Sequence, residues 1–110
     1  MIQGGCPNSK DPDKRRLHGT GNAGYQLEAE FSDKPHTRGV LSMARTGDPN
    51  SASCQFFVMH RDSPHLDGQY SVFGQLVSGE DVLDAIAQAP RGPGDYPVNP
   101  VSIQKMNILD

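Results

Sequence analysis

The chain has 110 residues, a formal net charge of −3, two cysteines and no tryptophan. That length suits one domain, and ten Lys+Arg against thirteen Asp+Glu leave no basic footprint for nucleic acid. No apolar run is long enough to span a membrane as a helix, and twelve Gly with nine Pro argue against a mainly helical chain.

Residues 1–5 (MIQGG) read as a strand end closed by a Gly pair. Residues 6–24 carry Pro7, Asn8, Asp11, Pro12, Asp13 and a Gly-rich tract, a long polar loop. Its basic cluster, Lys14-Arg15-Arg16, is flanked by Asp11 and Asp13 and reads as solvated loop. Residues 25–31 alternate apolar and polar, the period of a half-buried strand or extended segment. A turn region around Pro35 leads to a strand over 40–44, then a loop over 45–54. Residues 55–59 (QFFVM) are nearly all apolar, consistent with a strand buried on both faces. The next loop, 60–69, contains the turn signal Asp67-Gly68, and 71–77 is the following strand.

Ser78 is placed to cap a helix through the N–H of Asp81, and Glu80 and Asp81 suit the positive end of its dipole. Val82, Leu83 and Ile86 form the apolar stripe, and Pro90 ends the run. A Pro/Gly loop over 90–100 precedes a last strand over 101–109. The apolar phase there slips from Val101 and Ile103 to Met106 and Ile108, which predicts a bulge near Gln104 and Lys105. The fold class is therefore mainly β, an antiparallel barrel or sandwich with one short helix.

Reactive chemistry is sparse. Gly19-Thr20-Gly21-Asn22-Ala23-Gly24 fits G-x-G-x-x-G, yet a charged loop precedes it and an extended segment follows, so it reads as a flexible turn. His18, His36, His60 and His65 show no metal-ligand spacing, and no metal or other cofactor is expected. No G-x-S-x-G elbow occurs, and nothing singles out a nucleophile, although spacing alone does not exclude a Ser-His-Asp array. Cys6 and Cys54 form no CxxC pair and read as free thiols of a reducing compartment, a single disulfide or a shared metal being alternatives that need geometry beyond the sequence. The Gln, Phe, Met and Leu residues on strands and loops suit an apolar pocket with a few hydrogen-bond donors.

Three stretches together resemble the cyclophilin family of peptidyl-prolyl cis-trans isomerases. They are MIQGG at 1–5, GVLSMAR at 39–45 followed by CQFFV at 54–58, and LDGQYSVFG at 66–74. Their order and spacing also match, and the long loop after MIQGG looks most like bacterial members. The resemblance covers residues 1–110 as one domain and implies an antiparallel barrel, incomplete here, acting on peptide bonds that precede proline. It implies no cofactor. Rotation about a peptide bond faces a barrier of about 18–20 kcal/mol. For X–Pro the isomers differ by only about 0.5–1 kcal/mol but exchange slowly. A catalyst need break no bond: an apolar cradle, a dry site and a donor to the prolyl nitrogen suffice.

By this resemblance Met1, Phe57, Leu66 and Tyr70 line the proline pocket, with Phe56 turned to the opposite face of the strand. Gln3, Arg45 and Gln55 hydrogen-bond the substrate backbone, and Gly19, Thr20, Ala44 and His65 edge the groove. His65 stands where eukaryotic members often have Trp, which puts tight cyclosporin binding in doubt, and Tyr70 stands where they often have His. The family's F-H-R segment precedes MIQGG and is absent here, so the catalytic Arg is expected to be missing, with the opening strands and first helix. Its loss predicts impaired isomerase activity, and a non-catalytic proline-peptide binding module is the alternative. The implied partners are proline-containing peptides and unfolded proteins, with no nucleic acid or membrane, and with self-association through exposed barrel edges. The compartment stays open: cytoplasm is favoured, while a periplasmic or secreted home is compatible with a missing front segment.

Overall fold

Four short strands build the sheet of this protein, described here for residues 1–109 from a computed structural model. They are β1 (Ile2–Gly4), β2 (Val40–Met43), β3 (Phe56–Val58) and β4 (Val72–Gln75). The strand order is β1-β3-β2-β4, with every pair antiparallel. β3 is thus paired on both sides, which is why its sequence tolerates so little polarity. Gln3 and Ser42 both stand opposite Phe57 in the register. Side chains of directly opposed residues share a face, so Gln3, Phe57 and Ser42 project the same way. A bulge between Leu41 and Ser42 shifts the pairing of β2 with β4. The sheet is open rather than closed into a barrel.

The core lies over that face. Val40, Phe57, Met59 and Leu66 are its buried members, with Ala44, Tyr70 and Val72 packed against them. Leu66 comes from a 3-10 turn, Pro64–Leu66, that lies across the strands. Each such side chain contributes roughly 1.5–3 kcal/mol when fully buried. Within β3 the burial alternates: Phe57 is buried while Phe56 and Val58 are half-buried, so the expectation of a strand buried on both faces is corrected to one sealed face.

Three further expectations give way to the structure. The helix α1 spans Glu80–Gln88, and its N-cap is Gly79 rather than Ser78, with no side-chain cap among the described residues. Gly79 holds φ +91°, a conformation that disfavours any residue with a Cβ, and its carbonyl accepts from the Leu83 N–H at 3.0 Å. Glu80 and Asp81 do occupy the first turn, as the helix dipole favours. Of the predicted stripe only Leu83 is buried, and Val82 is 56% exposed. Residues 101–109 form no strand, so the bulge at Gln104 and Lys105 has no ladder to interrupt. Alternation specifies the faces a strand would have, not whether a neighbour exists to pair with it. Ile103 instead points its Cδ1 at Gly4, beside the Phe56 ring. Residues 25–31 form no strand: one bridge pairs Leu27 with Ala52, and the Ala29 and Glu30 N–H groups donate to Asn50 Oδ1 and Ser71 Oγ at 3.0 and 2.9 Å.

α1 is seated by charge as well as by Leu83. Arg38, just before β2, donates to both carboxylate oxygens of Asp84, at 2.8 and 3.1 Å, and to the His60 carbonyl at 3.0 Å. His60 Nε2 stands 3.0 Å from the same carboxylate. The Arg38 hydrogen bond outweighs burial and holds the Asp84 carboxyl below its ordinary value of 3.8. A depressed carboxyl stabilises the fold above its unfolded pKa and loses that contribution as pH falls through the folded one. Thermal melts should therefore show stability dropping as pH is lowered below 3.8. Asp84→Asn should lower the melting temperature near pH ~7 and flatten that acid limb; an unchanged acid limb in the variant would show that Asp84 does not govern it.

Candidate active site

The polar side of the site is a relay of amides. Gln3, an exposed residue of β1, donates from Nε2 to Gln55 Oε1 at 3.2 Å. Gln55, just before β3, turns its own Nε2 to the carbonyls of Gly19 and Gly21, at 3.1 and 2.8 Å. One side-chain amide thus pins the Gly-rich loop against the sheet. The loop is pinned a second time from below, where buried Cys6 Sγ accepts from the Gly19 N–H at 3.2 Å. Burial pushes the Cys6 thiol up, but the backbone N–H groups of Gly21, Gly19, Asn8 and Ser9 together pull it below its ordinary value. Thr20 Oγ1 is spent on the Leu17 carbonyl at 2.6 Å.

The apolar side is an aromatic group. Phe57 and Tyr70 meet edge to face with centroids 5.7 Å apart. Arg45 lays its guanidinium 4.8 Å from the Tyr70 centroid, with Phe31 5.8 Å away on another side. Its Nε donates to the Gln69 carbonyl and its Nη1 to the Thr46 carbonyl, both at 2.9 Å. Arg45 therefore stiffens the 45–47 and 69–70 segments, and a substrate carbonyl would compete for its remaining donors. Ala44 is half-buried beside the group, and His65 is exposed on the 64–66 turn.

The structure brings Phe57, Leu66, Tyr70 and Ala44 together, and joins Gln3, Gln55 and Gly19 at the adjoining rim. It does not bring Met1 to them. Met1 is 55% exposed and lines a depression with His60, Arg61, Ala87 and Gln88 at the end of α1. Phe57 also lies deeper than an open cradle requires, at 1% exposure, with Leu66 at 9%. Leu66 shares that buried cluster with Phe57, and Tyr70 packs against it.

A second constellation escapes sequence spacing altogether. His36 is 1% exposed, with Nδ1 3.1 Å from Asp67 Oδ1 and Nε2 2.9 Å from Ser42 Oγ. This is a Ser-His-Asp array, but Ser42 is fully buried on β2, so no substrate reaches its hydroxyl and the hydrolytic reading fails. Residues 36, 42 and 67 meet only through the fold; the sole sequence signal was Asp67, read as a turn residue.

A family model described as cyclophilin type peptidyl-prolyl cis-trans isomerase/CLD matches residues 1–108. A probable peptidyl-prolyl cis-trans isomerase of Brucella abortus is 46% identical over 91 residues, covering 82% of this chain and 46% of that protein. A peptidyl-prolyl cis-trans isomerase of Arabidopsis thaliana is 38% identical over 110 residues, covering 98% of this chain and 65% of that protein. Among solved structures, a Cryptosporidium parvum cyclophilin type isomerase, crystallised in the presence of the dipeptide Ala-Pro, is similar with a TM-score of 0.75 and 30% identity. That likeness covers 89% of this chain and 61% of the other. The chain thus spans 46% to 65% of the length of these relatives.

Gln55→Ala should leave the core intact and free the Gly-rich loop. Amide exchange across residues 19–24 should quicken by about fivefold, the scale of hydrogen bonds worth ~0.5–1.5 kcal/mol each. Unchanged exchange there would mean that the Gly19–Cys6 and Ala23–Ser53 bonds hold the loop without Gln55.

Proposed function

We propose, since this chain belongs to the cyclophilin-type peptidyl-prolyl cis-trans isomerase family, that residues 1–110 act as one unit whose Phe57 patch receives the proline ring of an X–Pro segment, and that the protein accelerates rotation about that bond. The observation that carries this is the meeting of an aromatic group with an amide rim on one sheet face: Phe57 under Tyr70, and Gln3 bonded to Gln55 alongside. The apolar group suits a proline ring, which has no N–H to satisfy. The rim amides are laid out to meet the flanking peptide groups, which carry both donors and acceptors.

Such a site works without a reactive group. Amide resonance is strongest when the peptide is planar and its oxygen is well solvated. Seating the proline ring against Phe57 and Tyr70 removes water from the amide, and donors aimed at the chain hold one flank while the other turns. Each 1.36 kcal/mol taken from the barrier is about tenfold in rate. Gln3 is the rim donor with a proton to spare: one of its two Nε2 protons goes to Gln55 Oε1, whereas both Nε2 protons of Gln55 are taken by the Gly19 and Gly21 carbonyls. Arg45 orders Tyr70 and extends the surface toward the substrate's other side. Proline-containing peptides and unfolded chains are the corresponding partners.

Titrating the chain with a proline tetrapeptide should shift the backbone resonances of residues 55–57 and 66–70, and exchange spectroscopy on the peptide reads any rotation. Phe57→Ala is a poor probe, since losing a buried Phe costs about 3–5 kcal/mol of stability. Phe57→Leu keeps most of the volume and should weaken binding about tenfold. Unchanged affinity in folded Phe57→Leu overturns the assignment. β1 and β4 each have one sheet neighbour among the described residues. Such edges offer unpaired N–H and C=O groups, so the isolated chain should self-associate through them. Sedimentation velocity over a range of concentrations checks this, and a monomer throughout would count against it.

A further inference from the structure

His36 spends all four of its polar groups. Its backbone N–H donates to Asp67 Oδ1 at 2.6 Å, and its carbonyl accepts from the Ser63 N–H at 2.9 Å. Its Nδ1 meets the same Asp67 oxygen at 3.1 Å, and its Nε2 meets Ser42 Oγ at 2.9 Å. A carboxylate only accepts, so Nδ1 donates to Asp67, and Nε2 pairs with the Ser42 hydroxyl. Three of the four bonds therefore grip the segment 63–67, and the fourth grips β2. The Asp67 N–H closes back on Pro64 at 3.1 Å, and the Gln69 N–H on Leu66 at 3.1 Å, so the grip extends to Leu66 and toward Tyr70.

The His36 ring is also part of the aromatic group. It stacks on Phe57 with centroids 6.0 Å apart and planes 21° apart, and Tyr70 meets it edge-on at 6.3 Å. One buried imidazole thus touches the floor of the patch and holds the loop that roofs it. Buried polar groups fixed at every position are rigid, and removing one leaves its partner orphaned at a cost larger than the bond itself.

We propose that His36 and Asp67 are positioning residues that set the height of the 63–70 loop over Phe57, and so the fit of the patch for a proline ring. This rests on the reading of that patch as the proline site. The clamp touches no substrate; it fixes Leu66 and Tyr70, which do. Asp67→Asn keeps an oxygen that accepts from both His36 N–H groups. Asp67→Ala removes it, and Asp67→Glu moves it outward by one methylene.

The test combines proline-tetrapeptide titration with the aromatic resonances of Tyr70, on the full chain and at a temperature where each variant is folded. Asp67→Asn should bind like the parent protein. Asp67→Ala should bind about tenfold more weakly and shift the Tyr70 ring signals, and Asp67→Glu should fall between them. Leu83→Val, which destabilises the molecule from α1, should change neither readout. The clamp is overturned if Asp67→Ala leaves both readouts unchanged, if Asp67→Asn is as damaged as Asp67→Ala, or if Leu83→Val mimics the loss. Should Asp67→Ala not fold, an unchanged Asp67→Glu overturns it equally. If the parent chain binds no proline peptide, the functional assignment of the patch fails. The Tyr70 signals then still decide whether Asp67 holds the loop.

Discussion

The double pairing of β3 fixes where everything else can go. With β1 on one side and β2 on the other, a slip of one residue would turn Phe57 outward and Phe56 inward. The register Gln3–Phe57–Ser42 therefore decides at once which ring is buried, which amide stands beside it and which hydroxyl faces the imidazole. Gln3 and Phe57 are neighbours because they stand opposite each other on paired strands, and Gln55 precedes Phe57 by two residues. No loop geometry has to be invoked to bring Gln3, Gln55 and Phe57 near one another.

A sheet this small buries few side chains, and many large apolar residues stay in contact with water, among them Phe73 and Val82. Hydrogen bonds between side chains and backbone take over part of the ordering. Gln55 fastens the Gly-rich loop, Arg38 seats the helix, and His36 fastens the 63–67 segment. Each net contribution is modest, because water is displaced to form it. What these bonds give is directional: they specify one arrangement of loops that apolar contact alone would leave free to slide.

The strands at 40–44, 55–59 and 71–77 were legible because a paired strand needs a run of apolar or β-branched residues, and those runs stand between clear turn signals. The structure trims each to a shorter core. The reading of 101–109 fails for a different reason: a period of two is a property of the segment, but a ladder is a property of two segments. Ser78 was the better cap by side-chain chemistry, and Gly79 displaced it through backbone conformation, which composition does not weigh. The likeness of MIQGG, CQFFV and LDGQYSVFG to one family located the aromatic group and its rim. It could not show how deep Phe57 lies or that Met1 faces another way. His36, Ser42 and Asp67 carry no local pattern, and their meeting had to be seen.

The strand order also governs the sequence of assembly. Joining β2 to β3 closes the connection 44–55, whereas joining β1 to β3 closes 5–55. The second closure is about fourfold longer and costs ~1 kcal/mol more in chain entropy. β1 is thus the late arrival, docking onto a β2–β3 pair that has already chosen its faces. Gln3 travels with it, so its half of the rim closes after the floor of the site, while Gln55, which adjoins β3, stands beside Phe57 from the first pairing.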